Sequence, residues 1–123
     1  MAKYLITASY TAEGMKGLQK DKASGRRNAV RQACASVGGK LEAFYFAFGG
    51  DDVVTIVDLP DNVAASALSL AASATGLIRT RTTALLTVEE VDKSLAAAVN
   101  FRGAGERGSA ASGGRRAPAR KTA

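Results

Sequence analysis

Few side chains in this chain can do chemistry. None of the 123 residues is a histidine, which removes Ser-His-Asp and Cys-His catalysis, a histidine haem ligand and most zinc sites. Any reaction would fall to carboxylates, Tyr, Arg, Lys, backbone amides or a bound cofactor. One acidic stretch is Gly49-Gly50-Asp51-Asp52, set between the apolar runs FYFAF and VVTIVD. Glycine takes positive φ at little cost and Asp bonds its own backbone, so this is hairpin chemistry before it is an acid site. Asp52 remains a candidate for a ligand or structural hydrogen bond. Asp51, Asp52, Asp58 and Asp61 are close in sequence, but no metal-binding motif joins them, and neither a metal nor a cofactor is expected. The lone cysteine, Cys34, can form no internal disulfide. It lies in an apolar series and reads as a small buried hydrophobe.

The remaining candidates suit a small-molecule pocket, which needs an apolar lining and a few polar groups. They are Tyr10, Tyr45, Phe46, Phe48, Asp52, Arg79 and Arg81. The aromatics would line it, an arginine would hold an anion or enolate, and a tyrosine would donate a proton. No residue is assigned a catalytic role.

The elements that must position these groups follow from periodicity. KYLITASY over 3–10 alternates as a strand. Thr11 caps a short helix or helical turn weakened by Gly14 and Gly17. Ser24 caps a second helix to about Val37, with an apolar stripe of Val30, Ala33, Cys34 and Val37 and a Gly38-Gly39 stop. Strands follow over 40–48 and 52–59. A helix then runs from about Pro60 to Gly76. Its polar residues Asn62, Ser66, Ser69 and Ser73 form one narrow stripe, so most of its circumference is expected to be covered. A strand over 77–86 puts Arg79 and Arg81 on one face and Thr80 and Thr82 on the other. Thr87-Val88-Glu89-Glu90 is a capping box for a last helix from Val88 to about Val99.

The order is βαββαβ plus a terminal helix: an α+β, ferredoxin-like sandwich with its helices on one face of an antiparallel sheet. Residues 1–100 form the domain. Residues 101–123 read as a disordered basic tail that holds six Arg and Lys against Glu106, +5 of the net +6. Both sheet faces are apolar. Leu41, Ala43, Tyr45 and Ala47 lie opposite Phe44, Phe46 and Phe48; Val54 and Ile56 lie opposite Val53, Val57 and Leu59; Leu5 lies opposite Tyr4, Ile6 and Ala8. At ~25 cal/mol per Å2, a bare aromatic face of several hundred Å2 forgoes many kcal/mol. A second copy packed sheet to sheet would shelter it and close a dimeric α+β barrel. The alternative cover is the last helix.

The segments KYLITASYTAEGMKGL, GGKLEAFYFAFGGDDVVTIVDLPDN, ALSLAASATG and RTRTTALLTVEE resemble the GYD-domain family, small bacterial proteins of the dimeric α+β barrel superfamily. The likeness covers about residues 1–95. The name-giving Gly-Tyr-Asp falls in the hairpin, where this chain has Gly50-Asp51-Asp52: the glycine and last aspartate are kept and the tyrosine is replaced. The resemblance implies the fold and a homodimer, and assigns no activity. Similar barrels include cofactor-independent monooxygenases and isomerases, so an enzyme of that kind is one expectation. A non-catalytic binding or regulatory module is another.

Nucleic-acid binding is disfavoured. The strand over 52–59 has no aromatic and no basic-glycine signature, and the folded part carries only +1, so only the tail would touch phosphate. No apolar stretch approaches the ~20 residues of a membrane span. The N-terminus enters a strand directly, without signal-peptide organisation, so a cytoplasmic location is expected.

Overall fold

The computed structural model describes residues 1–106, so most of the expected tail lies outside the described residues. The elements are β1 (Ala2–Tyr10), α1 (Ala12–Ser36), β2 (Lys40–Phe46), β3 (Val53–Leu59), α2 (Asn62–Ala74), β4 (Ile78–Leu85) and α3 (Val88–Ala96). The first compact unit is Met1–Leu85, and a second begins at Leu86. In the first unit the four strands form one sheet in the order β2-β3-β1-β4, every neighbouring pair antiparallel. This is the ferredoxin-like arrangement expected from the element order.

One face of the sheet carries the core. Tyr4 and Ile6 of β1 and Val57 and Leu59 of β3 pack with Cys34 of α1 and Ala64 and Ala65 of α2. The alternation is clean: Val53, Thr55, Val57 and Leu59 are all buried, while the residues between them are half-buried. Tyr4 fits beneath α2 because its hydroxyl donates to Asn62 Oδ1 at 2.6 Å, which satisfies a polar atom that burial would otherwise leave costly.

Three local expectations are corrected. The break in α1 falls at Lys22, not Ser24: Lys22 has φ 67° and ψ 166°, and helix continues on both sides. Thr11 does cap the first stretch, its side chain accepting from the Gly14 N–H. In β2 the pairing shifts between Leu41 and Ala43, where Glu42 is a bulge. A bulge inserts one residue and reverses parity beyond it. Leu41, opposite Val57, therefore shares the helix-covered face with Phe44 and Phe46, opposite Thr55 and Val53, and not the face of Ala43 and Tyr45. Finally, α2 is covered on one side only. Val63 and Leu70 are 76% and 69% exposed, and Ser69, from the expected polar stripe, turns toward β4. Alanine dominates this helix all round, so apolar periodicity did not distinguish its two sides.

Within the second unit, α3 begins with the capping box read from sequence. Thr87 Oγ1 accepts from the Glu90 N–H at 3.1 Å, and Glu90 Oε1 accepts from the Thr87 N–H at 2.7 Å. Its apolar positions Val88, Val91 and Leu95 are exposed. Among the described residues no helix is long and apolar enough to cross a membrane.

Candidate functional site

The helices of the first unit rest on different parts of the sheet, α1 on β2 and β1, and α2 on β4 and β3. Between them lies a partly open cavity of about 120 Å3. Ile6 and Ala8 of β1 and Val53 of β3 contribute from the sheet, and Phe44 closes the β2 side. From above come Val30 and Ala33 of α1 and Leu68 and Ala72 of α2. Short side chains leave the space: Ala8, Ala33 and Ala72 sit where leucines would fill it.

The polar atoms of the lining are few. Thr55 is buried, and its hydroxyl donates to the Ile6 carbonyl at 3.0 Å. Ser69 Oγ and Thr80 Oγ1 lie 2.7 Å apart, bridging α2 to β4 across one side of the cavity. Tyr10 lines the cavity where β1 ends, next to Ile78. Among the described residues it is the one ionisable side chain of the lining.

The seven residues singled out by sequence do not converge on this space. Tyr10 reaches it. Asp52 sits beside it as a backbone lock: its Oδ2 accepts from the Tyr10 N–H at 2.8 Å, and its own N–H donates to the Ala8 carbonyl at 2.8 Å. The Ala47 N–H donates to the Asp52 carbonyl at 2.8 Å, closing the hairpin. Gly49-Gly50-Asp51-Asp52 is therefore a turn, with Asp52 extending the β1–β3 ladder through its side chain. Phe46 lies instead along a shallow groove with Leu18, Lys22 and Ala23 of α1, and Phe48 is fully exposed at the hairpin tip.

Tyr45, Arg79 and Arg81 belong to the other face of the sheet. Register places Tyr45 opposite Val54, Arg79 opposite Ser9 and Arg81 opposite Thr7. Arg81 crosses to the hairpin, where its Nη2 donates to both carboxylate oxygens of Asp51 at 2.8 Å. At the opposite end Lys3 Nζ contacts Glu42 at 2.6 Å and Asp58 at 2.9 Å. The hydrogen bonds to Glu42 and then Asp58 push the Lys3 pKa up. Between these two cross-strand ties lies an apolar band of Leu5, Val54, Ile56, Ala43 and Tyr45, with Tyr45 69% exposed.

Sequence reasoning thus missed Phe44, Ser69, Ala72 and Thr80. Thr80 alternates with the two arginines, and strand parity alone sends it to the face opposite them, which is where the cavity is.

A model of the GYD domain matches residues 4–95. This span contains all seven elements apart from the first two residues of β1 and the last residue of α3. No curated protein and no solved structure matches the chain. With most of its length matched, the chain belongs to the GYD-domain family.

Proposed function

We propose that this GYD-domain protein binds a small organic molecule in the cavity between sheet and helices, as a homodimer joined through the opposite sheet face. The observation that carries the ligand reading is the cavity itself. Protein interiors are close-packed, with few voids larger than a water molecule. A lining of hydrocarbon around about 120 Å3 is therefore a feature to explain. An engineered cavity of about 150 Å3 lined by Leu, Ile and Phe stays dry and takes up benzene. The space here suits one ring, or the ring end of a longer molecule reaching in through the opening.

Binding without turnover is the reading the lining favours. Turnover in the manner of the monooxygenases and isomerases of similar barrels would need a proton donor or acceptor at the ligand, and Tyr10 is the one such group. The homodimer rests on the apolar band and its charged borders, an arrangement of apolar centre and polar rim that matches protein interfaces. A bacterial, cytoplasmic setting accords with the family resemblance.

Titration with benzene, followed by methyl NMR of Val30, Leu68 and Ile78, tests the ligand reading. Saturable shifts in the native chain are expected, and an Ala72→Leu variant, which fills the space, should lose them while keeping its folded spectrum. Absence of shifts in the native chain at millimolar benzene would overturn the proposal.

A further inference from the structure

We infer that the cavity selects a neutral, single-ring molecule bearing one hydroxyl or carbonyl group, oriented by the Ser69–Thr80 hydroxyl pair. This rests on the reading that the cavity binds a small organic molecule and adds the class of ligand.

Charge excludes first. Among the described residues no charged side chain lines the cavity. Arg79 and Arg81, the cations nearest in sequence to the lining residues Ile78 and Thr80, are carried to the opposite face by strand alternation. An isolated carboxylate or ammonium moved into such a site costs far more than a neutral polar group, and nothing here would compensate it. Carboxylic acids and amines are therefore poor ligands in their charged forms.

Polarity then selects. A completely apolar cavity would reject a hydroxyl as well, because an unpaired buried hydroxyl is itself unfavourable. Thr55 offers no help, since its proton is spent on the Ile6 carbonyl. The Ser69–Thr80 pair is different. Two hydroxyls own two protons, and the bond between them uses one. The pair retains one O–H to donate and lone pairs to accept, and the described residues give neither oxygen a further hydrogen bond. It can donate to a carbonyl or both donate to and accept from a hydroxyl. Its place at one side of an otherwise hydrocarbon space sets which end of the ring carries the polar group. Ser69 comes from α2 and Thr80 from β4, so the pair is made only when helix and sheet dock.

The experiment compares benzene, phenol and benzoate on the full-length protein by calorimetry, with NMR for weak cases. On the native chain phenol should bind at least as tightly as benzene, and benzoate should not bind measurably at neutral pH. In the double variant Ser69→Ala, Thr80→Val, phenol should weaken by about tenfold or more, the penalty of an unpaired hydroxyl. Benzene should stay within about threefold, since little apolar surface changes. Retained benzene binding also certifies that the variant is folded. Each single variant, Ser69→Ala or Thr80→Val, should show a smaller loss in the same direction. Phenol binding more weakly than benzene on the native chain, benzoate binding as well as phenol, or a phenol affinity indifferent to the double substitution would each overturn the inference while leaving the cavity as a binding site. Phenol affinity that survives the double variant but falls in Tyr10→Phe would place the anchor at Tyr10 and likewise overturn it. Failure of benzene itself to bind the native chain would remove both this inference and the reading beneath it.

Discussion

At the scale of single residues, the groups that looked reactive are mostly spoken for by structure. Asp52 holds the Tyr10 backbone, Asp51 holds Arg81, and Asp58 and Glu42 share Lys3. The Arg81–Asp51 and Lys3 pairs are solvent-accessible, and such pairs add little to stability. Their use is to tie strands across a face rather than to anchor the fold. Cys34 follows the same logic. It is fully buried, and desolvation pushes its thiol pKa up, which lowers the thiolate fraction at neutral pH. Its labelling by a disulfide reagent should therefore be orders of magnitude slower in the native chain than in urea, and should become rapid on unfolding. Prompt native labelling would contradict the packing described for α1. The apolar environment of Cys34 was legible from its spacing with Val30, Ala33 and Val37. The partners of the aspartates were not, because hydrogen bonds between residues 42 or 30 positions apart leave no mark in local sequence.

At the scale of elements, the caps at Thr11 and Thr87 and the glycine stops were readable, whereas irregularities were not, and Ser24, expected to cap a helix, lies inside α1. Thr11, Asp61 and Thr87 each accept an N–H from the first turn of a helix, as short polar side chains at such positions do. Lys22 is another matter. Its φ of 67° with ψ of 166° lies in a region essentially reserved for glycine, at a cost of order 1–3 kcal/mol. A lysine there carries no signal of a kink. The docking of α1 onto the start of β4 makes a sharper test. The Thr11 N–H donates to the Leu77 carbonyl at 3.0 Å, and Gly14 passes so close that an added Cβ would lie inside contact distance of the same oxygen. Gly14→Ala should destabilise the domain by roughly 2 kcal/mol, as overpacking does, even though alanine favours helix. The midpoint of urea unfolding measures it, and an unchanged or raised midpoint would sink the prediction. In the sequence Gly14 counted only as a weak helix former; its packing role needs β4 beside it.

At the scale of the whole molecule, the question is what shelters the second sheet face. The band of Leu5, Val54, Ile56, Ala43 and Tyr45 is a continuous apolar strip between ionic borders. The proposed homodimer buries it against its own copy. Sedimentation at micromolar concentration should report twice the 12.6 kDa chain mass. A charge placed centrally, in Ile56→Asp, should yield a folded monomer, because an uncompensated buried carboxylate is not tolerated at an interface core. A monomeric native chain, or a variant that stays dimeric, would refute the proposal.

The sequence by itself determined the order of elements, the antiparallel ferredoxin-like sheet, the helix caps at Thr11 and Thr87, the hairpin and the family. These depend on periodicity and on turn and cap chemistry, which act within a few residues. Only the tertiary structure decided which candidates share a space. A single bulge at Glu42 reversed the faces of β2, and the gap between two helices, not the aromatics of the strands, made the cavity. Both are products of how elements meet, and a period-2 strand pattern holds its face only until one extra residue intervenes.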